Sequence, residues 1–137
     1  MLRVTADTNI LVSGLVYRRG RSYDLLRMAL DGTINLTVSQ HILDEMADVL
    51  ARKFDATREE IAEATLIVRD AARVVTPAVQ LDVIREDPAD NRILECAVTA
   101  GSDYIVTGDK DLLRLGTYDS IKILTVSDFV NMAGTVA

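Results

Sequence analysis

The chain predicts an α/β fold, a parallel β-sheet covered by helices on both faces. Short β-branched apolar runs of strand length recur along it, amphipathic stretches of helix length alternate with them, and turn or cap residues mark the joins. Leu2 to Ala6 is the first strand, and a helical stretch with its apolar run from Ile10 to Val16 follows. Ser22 caps a second helix that sets Leu25, Leu26, Ala29 and Leu30 on one face, and Asp31-Gly32 stops it. Thr33 to Val38 is the second strand. Ser39 caps a long helix to about Lys53, and Thr57 with Glu60 forms a capping box opening another to about Ala72. Arg73 to Thr76 is a short strand, and Asp87-Pro88 opens a helix ending near Gly101. Tyr104 to Thr107 and Ile121 to Leu124 are the last strands, Asp111 heads a short helix over Leu112 to Leu115, and Ser127 caps a terminal helix.

Bulk properties narrow the function classes. With 137 residues, 49% hydrophobic and 26% charged, the chain is expected to be one domain over 1–137 with a core of its own. Cys96 is the single cysteine, so no internal disulfide forms; it lies in an apolar helical stretch and reads as a core residue. A reducing cytoplasm fits. The opening Met-Leu-Arg-Val-Thr-Ala-Asp lacks the pattern of a targeting segment, and no apolar run is long enough to span a bilayer, so no membrane association is expected. A net charge of −6 argues against a general nucleic-acid binder that grips through a broad basic surface. It leaves a nuclease open, because two divalent ions in an acidic pocket would reduce −6 to −2.

Four acids sit where local patterning turns them inward. Ligands of open parallel sheets gather at the carboxyl ends of strands; Asp7 immediately follows the first strand and Asp109 lies two residues beyond Thr107. Glu45 falls about 40° from Val49 and about 60° from Ile42 around its helix, at the edge of the apolar stripe, whereas Asp44 and Asp48 point away. Asp90 shares a face with Ile93, Leu94 and Ala97. Blander readings compete: Asp7 as a helix cap, Glu45 as a stripe-edge charge paired with an arginine, Asp90 as a third helical residue bonding free amides behind an Asp87 cap. Two ionised carboxylates about 4 Å apart repel by roughly 4 kcal/mol at an effective dielectric near 20, so convergence of several requires a cation or protons.

Around these acids, Asn9, Thr107 and Asp111 are candidates to orient the carboxylates from behind, each equally able to satisfy backbone. His41 lies one turn before Glu45, but with no second His or Cys to complete a zinc set it reads as solvated. An all-oxygen set suits a hard cation, Mg²⁺ or Mn²⁺. Arg18, Arg19 and Arg21 beside Tyr17 are candidate phosphate contacts in a loop after the first helix, with Lys110 and Arg114 secondary; a plain solvated loop is the competing account.

Four segments together resemble the PIN-domain family: Ala-Asp-Thr-Asn-Ile-Leu-Val-Ser, Ser-Gln-His-Ile-Leu-Asp-Glu, Asp-Pro-Ala-Asp-Asn-Arg-Ile-Leu-Glu and Ile-Val-Thr-Gly-Asp-Lys-Asp-Leu-Leu. They occur in family order and spacing over nearly the whole chain. The resemblance implies a three-layer α/β/α sandwich with a central parallel sheet and a Mg²⁺- or Mn²⁺-dependent ribonuclease site of Asp7, Glu45, Asp90 and Asp109, supported by Asn9, Thr107 and Asp111. It further implies an RNA substrate and, for a protein of this size, the toxin role of a toxin-antitoxin pair, with a small antitoxin as partner and a homodimer as assembly. An RNA-processing nuclease outside such a pair and an inactive PIN-fold binding module are the alternatives.

Rival chemistries on a small parallel α/β domain fit less well. A haloacid-dehalogenase phosphatase would want Asp at position 9, where this chain has Asn, and a receiver would show paired acids after strand one and a lysine after the last strand.

Overall fold

The structure, a computed structural model, describes residues 1–136. Its elements run β1 (Arg3–Ala6), α1 (Thr8–Val16), α2 (Arg21–Leu30), β2 (Asn35–Ser39), α3 (Gln40–Phe54), α4 (Arg58–Ala71) and β3 (Ala72–Val75). After a long loop come α5 (Asp90–Ala100), β4 (Tyr104–Val106), α6 (Lys110–Leu115), β5 (Thr117–Tyr118), β6 (Ile121–Leu124) and α7 (Val126–Val136). Six strands form one sheet in the order β3-β2-β1-β4-β6-β5, parallel except for the β5–β6 pair.

Right-handed crossovers decide the layers. The chain moves from β1 to β2 to β3 in one direction, which puts α1 to α4 on one face, and then jumps back past β1 to β4, which puts α5 on the other. Packing agrees, since α1 lies against α2 and α3, α2 against α7, and α5 against β1, β2 and β4. The expected α/β/α sandwich with a largely parallel sheet is therefore what forms. Val4, Leu36, Val38, Leu11, Leu25 and Met46 are fully buried in the core. Beneath α5, Thr5 and Ser39 bond Cys96, which is fully buried, and burial pushes its thiol up to about 11, so it is a structural residue.

Several boundaries differ from the sequence reading. Gly20, at φ 87°, precedes α2 in place of Ser22, because the chain turns there through a conformation that favours glycine. Asp109, not Asp111, caps α6, accepting bonds from the amides of Asp111 and Leu112 at 3.0 Å each. Thr125, not Ser127, heads α7, its hydroxyl accepting from the Asp128 amide at 3.2 Å. β5 was not anticipated at all: two residues pair antiparallel with β6 through a turn at Asp119 and Ser120, with φ 48° and 66°. The capping box at Thr57 and Glu60 forms as expected, with bonds of 2.9 and 3.1 Å.

No helix among the described residues is long and apolar enough to cross a membrane.

Candidate metal and nucleic-acid site

The sheet reverses its winding direction between β1 and β4, and a crevice outside the carboxyl ends of the strands opens at such a point. Asp7 leaves β1 there. Its amide still donates to the Val106 carbonyl of β4 at 2.9 Å, so it belongs to the sheet ladder and heads α1 at once. Its carboxylate does not cap that helix; Oδ2 accepts instead from the Thr107 hydroxyl at 2.7 Å. The same hydroxyl accepts from the Asp109 amide at 2.9 Å, which fixes the start of α6 against β1.

Asp87, Asp90 and Asp109 each present a carboxylate oxygen within 4.8 Å of the other two. Asp109 has room in that group because Oδ2 caps α6 and its other oxygen is left for the neighbouring acids. Asp90 is 6% exposed, and its Oδ2 is buried without any hydrogen-bond partner. A buried carboxylate oxygen left unmatched is costly, and a cation is the partner that relieves it.

Electrostatics tie the remaining acids to this group. Burial raises the pKa of Asp7, the Thr107 hydrogen bond opposes that rise, and the charges of Glu45 and Asp109 add to it. Burial likewise pushes Asp90 up to about 8, reinforced by a hydrogen bond shared with Asp109 and by the charges of Asp109, Asp87 and Asp7. Asp7, Asp90 and Asp109 are thus brought together, with Glu45 close enough to repel Asp7. Glu45 stays half-buried on α3, its Oε2 3.8 Å from Nε2 of an exposed His41. These acids are all hard oxygen donors, and together with the orphaned Asp90 oxygen they fit a divalent cation of the Mg²⁺ or Ca²⁺ type of chemistry.

Other candidates fall differently. Thr107 is fully buried and bridges two of the acids; Asp111 pairs with Arg114 at 3.2 Å; Asn9 is exposed on the first turn of α1. Lys110 is exposed directly after Asp109 and has no ion pair among the described residues. The arginine loop follows the far end of α1. α1 carries the chain about 13 Å away from Asp7, so Arg18 ends beside Leu15, Phe54 and Ile67, and Arg21 pairs with Asp24 at 3.6 Å.

Asp87 is the residue the sequence reading missed. Asp-Pro is a strong helix-start signal and it disguises the carboxylate, whose Oδ1 does accept the Ala89 amide at 3.2 Å while Asp87 also joins Asp90 and Asp109. Asn91 and Glu95 were also missed. The Asn91 side chain accepts from the amides of Val83 and Ile84 at 3.0 and 2.9 Å and donates to the Ile84 carbonyl at 2.8 Å, and Glu95 accepts from the Leu81 amide at 2.8 Å. These bonds lash the loop 76–89 to α5 and so deliver Asp87 to the acids.

Similarity to known proteins agrees with this architecture. A family model described as PIN domain matches residues 3–111. The chain belongs to the PIN-domain family. PIN domains are generally nucleases, and the three-aspartate group of this one is able to bind a divalent metal. This PIN domain is 25% identical over 118 residues to an uncharacterized protein of Methanocaldococcus jannaschii, covering 83% of this chain and 75% of that one. Its fold is similar to that in the crystal structure of VapBC2 from Rickettsia felis bound to a DNA fragment from their promoter. The TM-score is 0.63 at 13% identity, covering 89% of this chain and 97% of the other. At that identity the likeness is one of fold.

Proposed function

We propose that this PIN domain is an endoribonuclease that hydrolyses phosphodiester bonds of RNA with Mg²⁺ or Mn²⁺. The observation that carries the reading is the buried, unpartnered Asp90 oxygen set among Asp87, Asp109 and Asp7. Asp7, Asp90 and Asp109, with Asp87, would hold the ion, and Glu45 would either join them or take the proton of the attacking water. The ion supplies Lewis-acid polarisation of the phosphoryl oxygen and neutralises charge on the leaving group. The protein's part is positional: Thr107 aims Asp7 and opposes the burial-driven rise of its pKa, Asp109 is held by the helix it caps, and Lys110 offers a cation to the phosphate. Cleavage of single-stranded RNA should need Mn²⁺ or Mg²⁺, stop with chelator, and fall by orders of magnitude in Asp7→Asn. Activity undiminished in chelator refutes the reading.

A biological role as toxin of a toxin-antitoxin pair is the second part of the proposal, favoured by an apolar flank on the helical face. Leu15, Val16, Phe54 and Ile67 line a depression of about 410 Å³, and Tyr17, Leu30, Leu66 and Ile67 are large apolar side chains exposed nearby. A small antitoxin protein suits that flank, and a homodimer in the cytoplasm is the expected state of the toxin. Copurification of a small protein encoded beside this chain tests the role. A processing nuclease, or a PIN-fold binding module with no metal uptake, is what remains if no such partner exists.

A further inference from the structure

Beside the acids, a depression of about 220 Å³ is lined by Val83, Ile84, Glu86, Asp111, Arg114 and Leu115. It is continuous with the acidic group through covalent and hydrogen-bonded neighbours. Glu86 precedes Asp87; the Asp111 amide donates to Asp109 Oδ2 at 3.0 Å; Val83 and Ile84 are held by Asn91, which follows Asp90. We infer that this depression seats one nucleobase of the RNA strand next to the bond being cut, and that it disfavours uracil.

Size, floor and rim all bear on the occupant. The volume is on the scale of a single planar ring and too little for a helix of a partner protein. The floor is apolar: Ile84 is buried, Val83 is 37% exposed, and Leu115 is partly covered. One wall is the Arg114 guanidinium, tethered to Asp111 at 3.2 Å with its side chain 70% exposed, a planar cation able to stack on a base. The rim is Glu86, exposed and without an ion pair among the described residues. An ionised carboxylate only accepts hydrogen bonds, so it favours a base that turns an exocyclic amine toward it. Cytosine, adenine and guanine each carry an exocyclic amine, whereas uracil has none and its one ring donor, N3–H, is flanked by two carbonyl oxygens that a carboxylate repels. Selectivity thus comes from a rim acid that needs no part in hydrolysis.

This inference rests on the ribonuclease reading, and the test separates the two. A single-stranded RNA pool randomised over its length is cleaved with Mn²⁺, and the ends are sequenced for wild type, Glu86→Gln and Arg114→Ala. The expected result is an about fivefold depletion of uridine at one position flanking the cut, the worth of a net hydrogen bond. Glu86→Gln, whose amide donates as well as accepts, should erase that depletion, and Arg114→Ala should flatten preference at the same position. Mn²⁺-dependent cleavage with the same flanking profile in all three proteins overturns the base seat and leaves the nuclease standing. Absence of any Mn²⁺-dependent cleavage overturns the nuclease instead, and fluorescence anisotropy with labelled cytidine and uridine oligonucleotides in Mn²⁺ then decides the seat. Tighter cytidine binding lost in Arg114→Ala upholds it; equal binding, or none, overturns it.

Discussion

The hydroxyl of Thr107 lies 2.7 Å from Oδ2 of Asp7 across 100 residues of chain, and it also takes the Asp109 amide at 2.9 Å. One buried oxygen therefore aligns two of the acids. Replacing it with an isosteric methyl removes the bond that opposes the burial-driven rise of the Asp7 pKa and strands the Asp109 amide. Thr107→Val is expected to weaken Mn²⁺ binding about 10- to 100-fold by calorimetric titration, with Thr107→Ser restoring most of it. Unchanged affinity in Thr107→Val would show that Asp7 is positioned by other means.

Stability of the metal-free protein should fall as pH rises. Asp90 has a folded pKa of about 8 against an ordinary 3.8, so the folded state holds a proton that the unfolded chain releases. Its contribution is complete below about pH 4 and is lost as pH climbs through about 8. Thermal melting in chelator at pH 5, 6.5 and 8 should show a decline that Asp90→Asn flattens. Saturating Mn²⁺ should reverse the trend, because metal competes with the proton. A melting temperature that rises from pH 5 to 8 in chelator contradicts the assignment.

Asp87→Asn tests the acid that the sequence disguised. It should lower Mn²⁺ affinity about tenfold, while Asp44→Asn, on the exposed side of α3, should leave it unchanged. Equal effects of the two would mean that only net charge matters.

Asn91→Ala should loosen the loop 76–89 before it unfolds the sheet. Three hydrogen bonds to Val83 and Ile84 vanish from a side chain only 1% exposed, a loss on the order of 2 to 4 kcal/mol. Limited proteolysis should cut within 76–89 faster than in wild type. Urea denaturation gives the magnitude.

Gly14→Ala is a packing control remote from the acids. A Cβ there would meet the Ser22 carbonyl oxygen at 2.8 Å and its carbon at 3.1 Å, both backbone, so α1 and α2 must separate. A loss of about 1–3 kcal/mol is expected, read by the same denaturation, with Mn²⁺ affinity preserved in the folded fraction.

Much of this architecture is legible in the residues because local signals and tertiary packing agree. Ser39, and Thr57 with Glu60, announce helix starts that form as read, and the apolar spacing of α3 puts Glu45 at the margin of its buried stripe, where it is half-buried. That Asp7 and Asp109 open on one sheet edge follows from their places after β1 and β4. What escapes notice has no periodic signature. β5 is two residues long, and its turn uses Asp119 and Ser120 in place of the usual Asn-Gly. The loop 76–89 is ordered by side chains of α5, a long-range pattern that no window of sequence contains. Arg18, near in sequence to Asp7, sits a full helix away from it along α1, a separation that sequence spacing alone does not display.

The Asp7–Thr107 bridge has a consequence for synthesis. A nascent chain leaves the ribosome with its N-terminal side first, so Asp7 emerges 100 residues ahead of Thr107. Its partner Thr107 is followed in turn by α6, β5, β6 and α7. The acids of a growing chain accordingly stay apart until the segment carrying Thr107 and Asp109 has been made, and the cell meets an assembled cation pocket only after that.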